Sequence, residues 1–156
     1  MTGAGPPGED RPDAHPSGRP LDSPVVTKTV RLTTPFVVTF GLFTMFHGTS
    51  SVGGGFQGGV VVAAGIITVA FSFGLTQTRR WLSAPTLTWL AVSGVLVFAT
   101  VATVAILFGG EFLDLSAYPV PKAVVYGVEL VELGIGATVA TTILVMVLQL
   151  GVEADR

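Results

Sequence analysis

Residues 87–108 read LTWLAVSGVLVFATVATVAILF, a run of 22 residues without a charged side chain. A helix needs about 20 predominantly apolar residues to cross the ~30 Å hydrocarbon core of a bilayer. The run contains scattered Ser and Thr but no polar stripe, so it does not fit a surface helix of a soluble bundle. It therefore predicts a membrane-spanning helix.

Three more apolar segments flank this one, at about residues 28–47, 59–77 and 123–150. Only 12% of the residues are charged, about half the share of a soluble domain. The sequence therefore predicts an all-α integral membrane protein, with four transmembrane helices in a domain that covers residues 25–150. Within the first segment, the apolar run at residues 32–46 places Pro35 in the first helical turn, where a missing N–H is tolerated. This run is short for a span, so the alternative is a helix that begins near Val25.

The two ends of the chain differ from this domain. Residues 1–24 hold six of the ten prolines and almost no large apolar side chain, so they predict a disordered tail; residues 151–156 form a short second tail. Loops rich in Lys and Arg stay in the cytoplasm. Four helices place seven of the eight basic residues on one side, which predicts that both termini are cytoplasmic. These seven are Arg11, Arg19, Lys28, Arg31, Arg79, Arg80 and Arg156, and Lys122 lies opposite.

A glycine-rich segment, HGTSSVGGGFQGG, follows the first predicted helix at residues 47–59. Its spacing formally matches a dinucleotide fingerprint, but that motif needs a preceding strand and a later acidic residue, which this context does not supply. Small residues four apart let helices approach closely. We therefore interpret the segment as a tight re-entrant turn with close helix packing, in preference to direct ion binding. Its members are Gly53, Gly54, Gly55, Phe56, Gly58 and Gly59.

Two glutamates, Glu129 and Glu132, fall inside the fourth predicted helix. Three residues apart, they share a helix face about 4.5 Å apart along the axis, and Glu132 lies ~15 Å beyond a helix start near Lys122. Ionisable groups at membrane depth are costly and mark ion or proton routes by default. Both are candidates for such a route, as is His47 at the end of the first helix. The alternatives for the glutamates are a bond to a partner subunit's Lys or Arg or, for Glu129, a position at the outer membrane interface. The alternative for His47 is a helix-dipole contact.

The stretch RLTTPFVVTFGLFTMFHGTSSVGGGFQGGVVVAAG at residues 31–65 resembles the signature of the small B subunit of multi-subunit sodium/proton antiporters, called Mrp or Mnh. GGEFLD at 109–114 and VELGIGATVA at 131–140 also fall where that family has a Phe-Leu loop and an acidic start to its last helix. Glu132 matches the family's acidic position and Glu129 is an addition. The family's loop His and Pro are replaced by Thr49 and Val52, so its His role is not transferred to His47.

The resemblance implies an accessory subunit of a monovalent cation (sodium)/proton antiporter. It would support assembly beside other membrane subunits in the cell membrane and complete a path for sodium ions or protons where subunits meet. The alternatives are the equivalent subunit of a membrane-bound hydrogenase or related respiratory complex, a structural scaffold without an ion-handling role, and a stand-alone carrier or channel.

Other function classes find no support. Catalysis would need a nucleophile–base pair, a metal-ligand set or a nucleotide site, and none is recognisable, so we expect no enzyme, no metal and no cofactor. The chain has no cysteine, which excludes disulfides and thiolate ligands. The formal net charge is −2, which gives no reason to expect nucleic acid as a partner.

Overall fold

The computed structural model describes residues 23–50 and 53–153, with side chains as far as residue 151. This part of the chain is helical and contains no strand. Most of the predicted N-terminal tail (1–22) and the last three residues (154–156) lie outside the described residues. The helices are α1 (Pro24–Phe46), α2 (Gly55–Phe73), α3 (Leu75–Trp81), α4 (Ala84–Leu107) and α5 (Ala123–Glu153), with a 3₁₀ turn at Leu115–Ala117.

Four of these helices, α1, α2, α4 and α5, are long and apolar enough to cross a membrane, so the prediction of four spanning helices is confirmed. The shortest, α2, has 19 residues and is ~28 Å long, whereas the 31 residues of α5 extend over ~46 Å. Helix α5 is therefore much longer than α2 and extends beyond it.

Helix α1 begins at Pro24, directly after Ser23, a position that suits the fixed φ of proline. This start agrees with the alternative start near Val25. The expectation that Pro35 lies in the first turn is therefore wrong. Pro35 lies inside α1, where it removes the N–H that would bond to the Arg31 carbonyl. Spanning helices tolerate such a gap because neighbouring groups satisfy the freed backbone.

Helix α2 is shifted towards the N-terminus relative to the predicted 59–77. It begins at Gly55, because the Gly58 N–H already donates to the Gly54 carbonyl at 3.0 Å. It ends at Phe73, since Gly74 has a φ of 95° and turns the chain out of the helix. The predicted span thus runs across two helices, α2 and the short α3.

The helices form a row in the order α1, α2, α5, α4. Helix α2 packs along both α1 and α5, while α4 packs broadly on α5 and not on α1 or α2. Gly55 and Gly59 meet Glu132 and Gly136 in that order, so α2 and α5 run parallel. The end of α1 also touches α5. An open row of this kind exposes both of its broad faces.

The buried core is small and lies along α5, with α2 on one side and α4 on the other. It consists of Ala63, Leu87, Ala140, Leu144 and Leu148. Many large apolar side chains are exposed along α1 and α4, such as Phe36 and Leu96. Lipid tails solvate such side chains as well as a protein interior does, so helix packing in a membrane relies on small residues instead.

The connection between α4 and α5 is ordered by its own polar groups. The hydroxyl and the N–H of Ser116 both donate to the Asp114 carboxylate. These two bonds, that of the hydroxyl above all, hold the pKa of the Asp114 carboxyl below its usual value. The Tyr118 hydroxyl donates to the Val101 carbonyl at 2.5 Å. These contacts tie the connection to the end of α4 and so fix where α5 begins.

Candidate functional site

The Glu132 side chain lies against the turn between α1 and α2. A Cβ built on Gly48 would overlap both carboxylate oxygens, and one on Gly54 would lie 3.0 Å from Oε1. Any residue other than glycine at position 48 would have to displace the carboxylate. The glycine-rich turn and the intramembrane glutamate, which the sequence presents separately, are therefore one site.

Helix α2 is held at this site by glycine contacts with α5. A Cβ on Gly55 would overlap the Glu132 main-chain carbonyl, and one on Gly59 would lie 2.6 Å from the Gly136 oxygen. Such close backbone approach requires residues without side chains at the contact. It places the N-terminal end of α2, which carries the positive end of the helix dipole, beside the Glu132 carboxylate.

One oxygen of the Glu132 carboxylate, Oε2, is buried without a hydrogen-bond partner in the described part of the chain. An unsatisfied buried polar atom costs about 1–3 kcal/mol, more when charged, and such atoms call for an explanation in function or in a missing partner. Chemically, a carboxyl group in this position can hold a proton or face a cation supplied from elsewhere.

Glu129 lies one helical turn before Glu132 and is half-buried. Neither of the contacts that enclose the Glu132 carboxylate, those to Gly48 and Gly54, involves Glu129. Two carboxylates three residues apart on a helix repel each other when both are ionised. The pair is thus asymmetric, with one member enclosed by the glycine turn and the other placed one turn away.

His47 caps the C-terminus of α1 and immediately precedes Gly48 in the chain. Its Nδ1 lies 3.0 Å from the Phe43 carbonyl oxygen, and its ring stacks on the Phe43 ring with centroids 4.0 Å apart. These contacts hold the imidazole against the last turn of α1. His47 is therefore next to the glutamate site along the chain, with its ring held by its own helix.

The remaining members of the predicted glycine motif serve different contacts. Gly58 faces α1, where a Cβ would meet the Gly41 carbonyl at 2.6 Å, and a Cβ on Gly53 would lie 2.9 Å from the Thr44 methyl carbon. Phe56 is exposed. Gly55, Gly58 and Gly59 belong to α2 itself, so only the start of the motif forms the turn.

The sequence reasoning missed two residues of this site, Gly48 and Gly136. Gly48 lies outside the glycine run that forms the motif, and its contact with Glu132 joins positions far apart in the chain. A signal for Gly136 was present, because it follows Glu132 by four residues and so lies on the same helix face. Over the described residues, no group of three or more His, Asp or Glu could hold a metal ion.

Comparison with protein families matches residues 25–148 to the family described as a domain related to the MnhB subunit of Na+/H+ antiporters. The chain belongs to this MnhB-related family. The match extends from the first turn of α1 to near the end of α5 and so includes both the glycine turn and Glu132. A comparison with curated proteins returned no match.

Membership of the family, together with four helices able to cross a bilayer, identifies a multi-pass integral protein of the cell membrane. It is a subunit related to Na+/H+ antiporters. The resemblance seen in the sequence is confirmed, and other membrane subunits are consistent partners. The family indicates a transporter component rather than a catalyst and does not favour the redox-complex or scaffold alternatives.

Proposed function

We propose that this MnhB-related chain is an accessory subunit of a sodium/proton antiporter. In this role it supports assembly and contributes Glu132 to a proton or sodium path at the contact with a neighbouring subunit. The observation that carries the proposal is the buried Oε2 atom of Glu132, which has no hydrogen-bond partner in the described part of the chain.

The open row of helices argues for a path that needs a second subunit. Helix α4 packs broadly on α5 and not on α1 or α2, so the four helices do not surround a channel. Transport pathways are generally built between repeats or helix bundles that enclose the site. A neighbouring subunit seated on the row would supply the missing wall and a partner for the carboxyl group.

The chemistry expected of Glu132 is reversible loss of a proton or exchange of a proton for a cation. Because Gly48 has no side chain, the turn leaves room for the carboxyl group beside it. The N-terminal end of α2 offers a favourable field to the ionised form. A partner cation or sodium ion would offset the cost of burying that charge.

The distribution of basic residues supports a cytoplasmic location for both termini. Lys28, Arg31, Arg79 and Arg80 lie at the ends of helices that face the chain termini, and Lys122 lies at the opposite end. Because the chain has no cysteine, single cysteines can report the orientation. In intact cells, Ser116→Cys should react with a membrane-impermeant maleimide, whereas Thr76→Cys should react only after permeabilisation. The reverse pattern would contradict the orientation.

The test of function is Glu132→Gln in the assembled antiporter. We expect sodium-linked proton transport in membrane vesicles to fall close to the level of vesicles that lack the complex, because the amide cannot release a proton. The complex should still assemble, as judged by the subunits that copurify in mild detergent. Glu111→Gln is the matched control, since Glu111 is an exposed carboxylate outside the spanning helices.

Three outcomes would overturn or redirect the proposal. Normal transport by Glu132→Gln would favour a structural scaffold without an ion-handling role. Transport by the purified single chain in liposomes would favour a stand-alone carrier instead of an accessory subunit. Copurification of hydrogenase or other redox subunits would transfer the same role to a redox-driven complex.

A further inference from the structure

A basic surface lies at the end of the helix row that carries α3. It consists of Lys28, Arg31, Arg79 and Arg80, all with exposed side chains. The acidic side chains that the structure describes, those of Glu111, Asp114, Glu129 and Glu132, belong to the connection between α4 and α5 and to the first third of α5. Among the described residues, Glu153 ends α5 on the side of the basic surface. The four basic residues outnumber this one acidic residue, so the basic surface carries a net positive charge.

Arg31 joins this surface through a contact with α2. Its guanidinium carbon lies 5.3 Å from the centre of the Phe73 ring, within the range of a cation–π interaction. Phe73 is the last residue of α2, directly before the turn at Gly74. Arg31 is therefore positioned beside the start of α3, although it lies on a different helix.

Helix α3 presents its arginines outward because its other face is packed. Thr78 is buried, and the Leu75 side chain fills the space next to Gly151 of α5. Arg79 and Arg80 lie in the last turn of the helix, and Trp81 follows them with 81% of its surface exposed. The helix is fixed by its packed face and leaves two cations and an indole free to meet the membrane surface.

We propose that this basic surface binds the headgroups of anionic phospholipids. Arginine matches phosphate oxygens through paired N–H donors, and tryptophan prefers the level of the headgroups. Anionic lipids attract basic residues close to a membrane surface, whereas a zwitterionic headgroup would leave four positive charges without compensation. The lipid would lie between the N-terminal part of α1 and helix α3, and its contacts with both would stabilise this end of the open row.

Tryptophan quenching by brominated lipids tests this inference directly. The full-length chain with Trp89→Phe keeps Trp81 as its reporter. The variant is reconstituted into vesicles of phosphatidylglycerol and phosphatidylcholine in which one of the two lipids is brominated. We expect brominated phosphatidylglycerol to quench Trp81 more strongly than brominated phosphatidylcholine does. Arg79→Gln/Arg80→Gln should lower the relative binding constant for the anionic lipid at least ~5-fold, the factor expected from one arginine near an anionic surface.

Two control variants separate charge from general effects. Arg79→Lys/Arg80→Lys should keep most of the preference, because it retains both charges. Lys122→Gln should leave the preference unchanged, because Lys122 lies at the opposite end of the row. If the glutamine pair fails to fold, the salt dependence of the parent chain serves instead, and the preference should weaken as the salt concentration rises.

Three results would overturn the inference. The first is an equal preference in the parent and the glutamine pair, and the second is a preference that salt does not change. The third is loss of the preference in excess inorganic phosphate, which would assign the surface to a free anion instead of a lipid. Each readout is independent of antiport activity, so it does not depend on the role of Glu132.

Discussion

Helix α5 meets its two neighbours through glycine contacts, but the two contacts differ in what lies beside them. Towards α4, Gly94 and Gly134 approach so closely that a Cβ on Gly134 would lie 2.7 Å from the Gly94 oxygen. Next to them, the Thr138 hydroxyl shares its hydrogen between the Gly134 carbonyl of its own helix at 2.9 Å and the Ala91 carbonyl of α4 at 3.1 Å. Towards α2, the Gly59–Gly136 contact is equally close, but the neighbouring polar group is the Glu132 carboxylate.

The comparison separates packing from chemistry. On the α4 side the polar side chain finds a partner on the neighbouring helix, so the contact is complete within this chain. On the α2 side, the Oε2 atom of Glu132 has no partner in the described part of the chain. Glycine pairs thus bring the helices together at both interfaces, but only the α2–α5 interface contains an ionisable group without a partner in the described part of the chain.

The largest expected effect comes from alanine at the two contacts. Gly55→Ala and Gly94→Ala should each lower the free energy of unfolding by about 1–3 kcal/mol, because the new methyl group overlaps a main-chain carbonyl across the interface. Thermal unfolding of the full-length chain in mild detergent measures both. Ala64→Val on the exposed face of α2 is the control and should have little effect. Equal stability of Gly55→Ala and the control would contradict the close α2–α5 contact.

Gly48→Ala distinguishes the two interfaces by function. The added Cβ overlaps the Glu132 carboxylate, which lies at the end of a flexible side chain and can move aside at little cost in stability. We expect sodium-linked proton transport by the assembled complex to fall towards that of Glu132→Gln. Thr49→Ala, an exposed position in the same turn, should keep normal transport. Full transport by Gly48→Ala would show that the position of the carboxylate does not matter.

Thr138→Val tests the polar contact on the α4 side. Valine keeps the shape and loses the hydroxyl, so stability should fall by about 0.6 kcal/mol, the average for such bonds between spanning helices. Unfolding in detergent measures the change, with Thr142→Val on an exposed position of α5 as the control. Transport should stay normal, and a transport defect in Thr138→Val would place ion chemistry on the α4 side as well.

Glu129→Gln should have the smallest effect. Glu129 is half-buried and is not among the groups that touch the glycine turn, so its neutralisation should reduce transport less than Glu132→Gln does. Vesicle assays of the two variants side by side provide the measurement. An equal loss in both would contradict the asymmetry and show that transport needs both carboxyl groups.

Much of the fold could be predicted because hydropathy is a local property. Each spanning helix can be recognised from about 20 consecutive, mostly apolar residues, and the four helices lie close to their predicted positions. The errors occur at glycine and proline. Gly55 starts a helix in place of extending a turn, Gly74 ends one early, and Pro35 lies inside a helix. At such residues the neighbouring helices decide whether the backbone continues.

The candidate site could be predicted only in part. Glu132 stands out in the sequence, since a carboxylate within an apolar helix is rare. Gly48 does not, because a single glycine after a histidine has many ordinary uses in turns. Their contact joins residues 84 positions apart, and no local pattern encodes it.

The sequence by itself determined that this chain spans the membrane, which family it belongs to, and that an acidic residue lies within the last helix. Hydropathy and motif spacing are properties of consecutive residues, so they can be recognised without knowledge of the tertiary structure. Only the tertiary structure decided that the helices form an open row and that Glu132 faces the α1–α2 turn. Those features depend on the register of α2 against α5, which close packing of backbone on backbone sets.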